Sequence, residues 1–166
     1  MITRENHTFG PVLAYHGCDR ELAERVLSHN EELKPSQNKY DWLGPGTYFW
    51  VDSPARAIDW ATSQKKRLKI KNPYIIGAYV HLGLCLNLMD YAVVKEMKDA
   101  YASYKTFVTL SDLELPKYDR KQNGIHMMRP LDCAIIETVH ELRERAGLPS
   151  YDTVLGVFEE GVAMYP

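Results

Sequence analysis

Two short segments of the chain combine glycine with aromatic residues in a way that could bind a flat ring. The first is Tyr15-His16-Gly17, and the second is Gly44-Pro45-Gly46-Thr47-Tyr48-Phe49-Trp50. Another large aromatic residue, Trp60, follows ten positions after Trp50. Glycine lets a backbone come close to a ligand, and stacking on a flat heterocycle contributes about 0.5–1.5 kcal/mol per aromatic ring. The residue types therefore predict a glycine-lined notch with an aromatic side chain on each wall.

Each of these residues taken alone also fits a purely structural role. A histidine beside a glycine at the end of a strand is often a packed or turn residue, and Gly44-Pro45-Gly46 suits an ordinary turn. Tyr48 and Trp60 would both suit a hydrophobic core. The order and spacing of the segments, taken together, favour the functional interpretation.

The same order of motifs resembles the ADP-ribosyltransferase superfamily, in particular its poly(ADP-ribose) polymerase-like branch and small bacterial proteins of the toxin or phage-defence type. That branch has a His-Gly strand end, a Gly-x-Gly-x-Tyr-Phe strand, a helix with a second aromatic residue, and a Gly-rich apolar strand. The matching segments here are Tyr15-His16-Gly17, Gly44-Pro45-Gly46-Thr47-Tyr48-Phe49, Trp60 and Ile76-Gly77-Ala78-Tyr79-Val80. The resemblance is specific over about residues 13–88 and weaker beyond them.

The resemblance implies a role for each matched residue, with NAD as the co-substrate. His16 would hydrogen-bond a hydroxyl of the adenosine ribose, and the backbone N–H and C=O of Gly17 would hold the nicotinamide carboxamide. Tyr48 would stack on the nicotinamide ring, with Trp60 closing the other side. Gly46, in the Gly-x-Gly turn, is expected among the NAD-binding residues, and His16 and Tyr48 among the catalytic ones.

The resemblance also implies a catalytic glutamate on a late strand, which bonds the ribose next to nicotinamide and stabilises its positive charge. Glu160 is the candidate, Glu159 is the alternative, and an exposed loop pair is the structural interpretation of both. Only six residues follow Glu160, too few for the closing strand pair of the fold. We therefore expect the C-terminal strands to be missing, as in a fragment, a shortened form or a degraded member.

The implied function is an NAD-dependent ADP-ribosyltransferase, a glycosyltransferase that cleaves the nicotinamide–ribose bond and transfers ADP-ribose to a protein or nucleic acid. An NAD glycohydrolase, a non-catalytic module that binds NAD or ADP-ribose, and a structural protein without a ligand are the alternatives. A tRNA 2′-phosphotransferase is disfavoured, because no arginine pair stands beside the motifs. A toxin–antitoxin or antiviral-defence setting would add an inhibitory (antitoxin) partner.

Composition sets broad limits on the partners and the location of the protein. The chain has 166 residues and a net charge of −2, which argues against a broad polyanion-binding surface. The one concentrated basic stretch, residues 64–71, also fits a solvated helix end. No apolar run approaches the roughly 20 residues of a membrane span, and residues 1–10 lack the pattern of a signal peptide. We expect a cytoplasmic protein without a membrane partner.

The cysteine and histidine pattern predicts no disulfide framework and no metal site. Cys18, Cys85 and Cys133 form no closely spaced pair, which is typical of reduced thiols. His81 lies four residues before Cys85, but no second ligand pair is near. The segment that begins at His140 lacks the second histidine of a helical zinc motif.

Hydrophobic periodicity and turn residues predict the elements that carry these motifs. Helix starts are indicated at Asp19, Ser53-Pro54 and Asp90, and Gly147 indicates a helix end. The expected strands are 11–17, 47–51, 74–82, 84–88 and 153–158, and the expected helices are 20–30, 54–68, 91–104 and 131–146. We predict one α+β domain over residues 1–166, with an ADP-ribosyltransferase-like split β-sheet core and flanking helices.

Overall fold

The computed structural model describes residues 10–66, 68–119, 121 and 125–158. In chain order, the helices and strands are β1 (Val12–Asp19), α1 (Arg20–Leu27), β2 (Trp50–Val51), α2 (Pro54–Ser63), β3 (Pro73–Val80), β4 (Cys85–Asn87), α3 (Tyr91–Leu110), α4 (Pro130–Arg145) and β5 (Thr153–Leu155). The expected α+β class is confirmed, since the described residues form helices together with a small antiparallel sheet.

The described residues divide into two compact units, and each unit is built from two separate stretches of sequence. The first unit contains the described residues of 1–35 and 47–82, and so holds β1, α1, β2, α2 and β3. The second contains those of 36–46 and 83–158, and so holds β4, α3, α4 and β5. The assignment of residues 1–166 to one domain stays a prediction.

β1 is the middle strand of a three-stranded antiparallel sheet in the first unit, with the order β2-β1-β3. It pairs with β3 in a continuous register along the full length of both strands. Its pairing with β2 covers two positions, Ala14 opposite Val51 and Tyr15 opposite Trp50. One side of β1 is therefore paired throughout, and the other is paired with β2 only near its start.

Hydrogen bonds just outside these ladders show which residues of β1 face which neighbour. The amide of Arg20 donates to the carbonyl of Asn72 beside β3 (2.9 Å), whereas the amide of Asp52 beside β2 donates to the carbonyl of Leu13 (3.0 Å). Successive residues of a strand direct their N–H and C=O groups to opposite sides. Even-numbered residues of β1 therefore bond to β3, and the odd-numbered ones, including Gly17, face the β2 side.

Helices α1 and α2 pack on opposite faces of this sheet. Ala23 of α1 is fully buried and clusters with Cys18 of β1. Ala57 and Ala61 of α2 are fully buried and lie against Gly17. Because neighbouring residues of a strand point to opposite faces, the adjacent positions 17 and 18 bring the two helices to the two sides of β1.

Asp19 starts α1, as its residue type predicts. Its carboxylate accepts hydrogen bonds from the amides of Glu21 (3.0 Å), Lys71 (2.6 Å) and Asn72 (3.0 Å). The backbone donors of Asn72 and Glu21 are the main cause that holds the pKa of Asp19 below its ordinary value. One carboxylate thus joins the start of α1 to the turn that leads into β3.

The second unit has a hydrophobic core formed by its own helices and strands. β4 and β5 pair in parallel, and Asp90 caps α3 by accepting a hydrogen bond from the amide of Ala92 (2.8 Å). Gly147, with a φ of 67°, follows α4 and ends it as predicted. The buried residues of this core are Leu86, Val93, Ala100, Ile135, Ile136 and Val139.

Most element ends differ from the prediction by a few residues; α1, for example, ends at Leu27 and not at residue 30. β2 begins at Trp50 and not at residue 47, because the carbonyl of Tyr48 bonds to the side chain of His16 instead of to the backbone of β1. α2 ends at Ser63, where the hydroxyl bonds back to the carbonyl of Trp60 (2.8 Å). α3 continues to Leu110 because its buried stripe extends to Val108. β5 spans three residues, as does its partner β4.

The described residues contain neither a candidate membrane span nor a candidate metal cluster. No helix that they form combines the length and the apolar character needed to cross a bilayer. Within the same residues, His, Cys, Asp and Glu side chains form no group of three or more that could hold a metal ion. All three cysteines are free thiols, and burial raises the pKa of Cys18 to about 11.

Candidate functional site

Four of the predicted site residues lie in the first unit. His16 and Gly17 are on β1, Tyr48 is on the segment that leads into β2, and Trp60 is on α2. The register of the three-stranded sheet in this unit therefore shows which residues lie beside His16 and Gly17.

The other two predicted site residues are not in the first unit as described. Gly46 belongs to the second unit, where it exchanges two backbone hydrogen bonds with Ser36 (2.8 and 3.0 Å). Glu160, with its neighbour Glu159, lies outside the described residues. The expected contributions of Gly46 and Glu160 to NAD binding and catalysis stay predictions.

Gly17 is buried, and the carbon of its missing side chain would point into α2. A Cβ atom at this position would stand 2.3 Å from the carbonyl oxygen of Ala57 and 3.2 Å from the Cβ of Ala61. The nearest of these atoms belongs to the helix backbone, which cannot give way locally. Close packing of α2 on β1 therefore requires glycine here, and helix packing alone accounts for the absence of a side chain.

The backbone of Gly17 supplies the observation that helix packing does not explain. Extending the pair Tyr15–Trp50 by two residues would place Gly17 opposite Tyr48, as a hydrogen-bonded pair. The ladder ends before that pair, and in the part of the chain that the structure describes no backbone bond reaches Gly17 from the β2 side. The N–H donor and the C=O acceptor of Gly17, a buried residue, therefore have no backbone partner among the described residues at this unpaired end of the ladder, the opening between β1 and the segment before β2.

His16 bonds to the group that would otherwise close this end of the ladder. Its Nδ1 lies 2.8 Å from the carbonyl oxygen of Tyr48, and its ring packs against Phe49 with the ring centres 5.6 Å apart. That carbonyl is the group that would otherwise accept from the amide of Gly17. The side-chain bond replaces the ladder bond, which is why β2 is shorter than its run of β-branched and aromatic residues predicts.

The same bond sets the protonation pattern of His16. Burial lowers the pKa of the imidazole, and the hydrogen bond to Tyr48 offsets part of that effect. A carbonyl oxygen only accepts, so Nδ1 carries the hydrogen, and in the neutral ring Nε2 is then a hydrogen-bond acceptor. His16 thus presents a neutral acceptor, which suits a hydroxyl donor and disfavours an anion.

Tyr48 and Trp60 are both half-buried. Trp60 lies on the side of α2 that carries Ala57 and Ala61, since residues three and four apart share a helix face. It therefore lies next to the contact that covers Gly17. Nearby, the guanidinium of Arg56 stacks over the ring of Trp50 at 4.5 Å.

Comparison with known proteins gives one informative match. A curated relative, the uncharacterized protein MJ0359 of Methanocaldococcus jannaschii, is 38% identical over 68 residues. These residues are 40% of this chain and 31% of the relative, so the match spans about a third of the relative's length. No protein-family model matches the chain, and no solved structure matches it.

Two structural features of the first unit were not predicted from the sequence. The partner of His16 is the backbone carbonyl of Tyr48, whereas the sequence predicted a role for the tyrosine ring only. Phe49 packs on the imidazole because positions 16 and 49 are opposite each other when the register of β1 and β2 is extended by one pair. An antiparallel alignment of the two strands would have predicted that Phe49 lies beside His16.

The second unit has cavities that were not predicted from the sequence. One of them, with a volume of about 560 Å³, is lined by residues of α3 and α4 together with Lys39 and Pro116. Lys39 is paired with Glu137 across 2.9 Å at its rim. Its lining mixes apolar side chains with charges that are already paired and does not indicate a reaction.

Proposed function

We propose that the first unit binds NAD and that the chain is an NAD-dependent ADP-ribosyltransferase. The proposed reaction cleaves the nicotinamide–ribose bond and transfers ADP-ribose to a macromolecular acceptor, which is a protein or a nucleic acid. The observation that carries the proposal is the backbone of Gly17, whose donor and acceptor have no strand partner on the β2 side within the described part of the chain, where the carbonyl of Tyr48 bonds to His16 instead. The proposed setting is a bacterial toxin or defence protein of the ADP-ribosyltransferase fold.

The chemistry of nicotinamide fits these two backbone groups. Its carboxamide has one carbonyl acceptor and one NH₂ donor, so the N–H and C=O of a single residue can satisfy both. Sites of this kind bind a planar group by a few placed polar contacts within apolar walls. The rings of Tyr48 and Trp60 are the proposed walls, Tyr48 stacking on the nicotinamide ring and Trp60 closing the other side.

The acceptor Nε2 of His16 supports the proposed contact with the adenosine ribose. A sugar hydroxyl donates a hydrogen bond to a neutral imidazole nitrogen, whereas a phosphate at the same position has no hydrogen to offer when fully ionised. The bond from Nδ1 to Tyr48 fixes both the tautomer and the orientation of the ring. His16 would therefore orient the dinucleotide along the opening, which favours reaction by alignment.

In the proposed reaction, the C–N bond to nicotinamide breaks and its electron pair leaves with the base. The acceptor then forms a bond to the ribose carbon and loses its proton. Positive charge develops on the ribose, as in glycoside cleavage, and a carboxylate stabilises it more than it stabilises the ground state. Glu160, or Glu159 beside it, is the proposed source of that carboxylate.

The fate of NAD labelled in its adenosine half, incubated with the protein in a cell lysate, tests the proposal. Label in protein, RNA or DNA, together with free nicotinamide, is the expected result. Label recovered only as free ADP-ribose would identify a glycohydrolase. A raised melting temperature without nicotinamide release would identify a binding module, and the absence of both would contradict any NAD-dependent function.

A variant of His16 tests whether NAD binds at the opening between β1 and the segment before β2. His16→Asn keeps a donor at the position of Nδ1 but removes the acceptor Nε2. It should therefore fold like the original chain and bind NAD about 3- to 10-fold more weakly, the effect of one neutral hydrogen bond. His81→Asn, the same change at an exposed histidine of the first unit, is the matched control. Equal NAD affinity in the His16→Asn variant would remove His16 from the site.

A further inference from the structure

β3 is the outer strand of the sheet in the first unit, and one of its edges faces no other strand among the described residues. Its even-numbered residues bond to β1, so the N–H and C=O groups of Ile75, Gly77 and Tyr79 point outward. A row of unpaired donors and acceptors of this kind is a template for pairing with another strand.

Solvent exposure shows that the middle of this edge is open. Gly77 is exposed, and because glycine has no side chain, its exposure is that of the backbone itself. Tyr79 is 76% exposed. A large aromatic side chain beside an accessible backbone is typical of residues that become buried in a protein–protein contact.

The sequence of β3 also lacks the devices that usually protect an edge strand. Its eight residues, Pro73–Val80, include no charged side chain, although edge strands commonly carry lysine to prevent pairing. Pro73 blocks only the first position. The strand is also free of the like charges that would repel when two copies of it lie side by side.

We propose that two copies of the chain associate through this edge, with their β3 strands antiparallel about a two-fold axis at Gly77. Gly77 faces outward and therefore forms a hydrogen-bonded pair with Gly77 of the second copy. In this register Tyr79 lies opposite Ile75 and Tyr74 lies opposite Val80, so every pair is apolar. Aromatic and β-branched residues are favourable cross-strand neighbours.

The association is expected to be concentration dependent, because one pair of strands makes a small interface. Sedimentation equilibrium of the full chain should give a mass that rises from monomer toward dimer across the micromolar range. Tyr79→Lys should abolish this rise and leave the circular dichroism spectrum and the melting curve unchanged, since the tyrosine side chain is largely outside the fold.

Tyr91→Lys is the matched control, because Tyr91 is 90% exposed and lies on α3 of the second unit. That variant should associate like the original chain. A monomeric mass up to the millimolar range would overturn the proposal, and so would a dimer that Tyr79→Lys leaves intact.

Disulfide formation tests the register separately. A hydrogen-bonded antiparallel pair has Cα atoms about 5.5 Å apart, which lies within the range that a disulfide spans. A mixture of Ile75→Cys chains and Tyr79→Cys chains should oxidise to a covalent dimer, whereas neither variant alone should do so at these positions. Equal crosslinking of the mixture and of the single variants would overturn the register centred on Gly77.

Discussion

The two nitrogens of His16 have different tasks. Nδ1 donates to the carbonyl of Tyr48 and keeps the backbone of Gly17 unpaired on the β2 side, whereas Nε2 is the acceptor that the proposed function assigns to a ribose hydroxyl. Only the second task depends on a neutral ring, because a protonated imidazole donates from both nitrogens and has no acceptor. The protonation state of His16 therefore determines whether Nε2 can accept a hydrogen bond from a ligand.

The stability of the protein should depend on the titration of His16. Burial holds the pKa of the folded-state imidazole below the value of 6.5 that applies in the unfolded chain. As the pH falls below 6.5, the unfolded chain takes up a proton before the folded chain does, so stability is lost between 6.5 and the lower folded pKa. Above 6.5 the ring is neutral in both states, and its contribution is complete.

Chemical denaturation from about pH 7.5 to about pH 5.5 checks this prediction. The free energy of unfolding should fall more steeply for the original chain than for His16→Asn, which does not titrate. His140 in the second unit also has a pKa lowered by burial, so both proteins should be compared in a His140→Asn background. Parallel pH profiles would mean that His16 is not titrating in the predicted direction.

At the scale of secondary-structure elements, the contact between α2 and β1 determines the position of Trp60, one of the two aromatic walls of the proposed site. Gly17→Ala would place a Cβ atom 2.3 Å from the carbonyl of Ala57, so the helix would have to move. We expect a loss of more than about 2 kcal/mol in the free energy of unfolding, measured by urea denaturation. The same displacement would shift Trp60, and NAD binding should weaken with it.

Gly46→Ala is the matched control for that substitution. A Cβ atom at Gly46 would meet nothing within 4 Å, and we expect a change of less than about 1 kcal/mol. If Gly17→Ala were as mild as Gly46→Ala, the helix would not depend on a bare backbone at position 17.

The sequence predicted the elements better than their ends. Asp19, Pro54 and Asp90 marked helix starts correctly, because capping and first-turn preferences are local. The start of β2 was wrong because the carbonyl of Tyr48 bonds to His16, which is 32 residues away. A long-range side-chain contact of that kind leaves no trace in the local pattern of the strand.

At the scale of the whole molecule, the division into two units was not expected. Residues 36–46 belong with the second unit although the chain then returns to the first, and no change of composition marks either crossing. The sequence therefore grouped Gly46 with Tyr48, whereas the structure assigns them to different units. Contacts between distant stretches of chain decide this division, and hydrophobic periodicity does not report them.

The central claim is that the amide and carbonyl of Gly17 hold the carboxamide of nicotinamide, and the amide resonance of Gly17 tests it most directly. The chain has ten glycines, so glycine-selective ¹⁵N labelling gives a spectrum simple enough to follow one signal. Titration with nicotinamide should shift the Gly17 resonance until it saturates. Nicotinic acid, whose carboxylate lacks the NH₂ donor, should shift it far less. A Gly17 resonance that stays in place while NAD or nicotinamide shifts others would contradict the account.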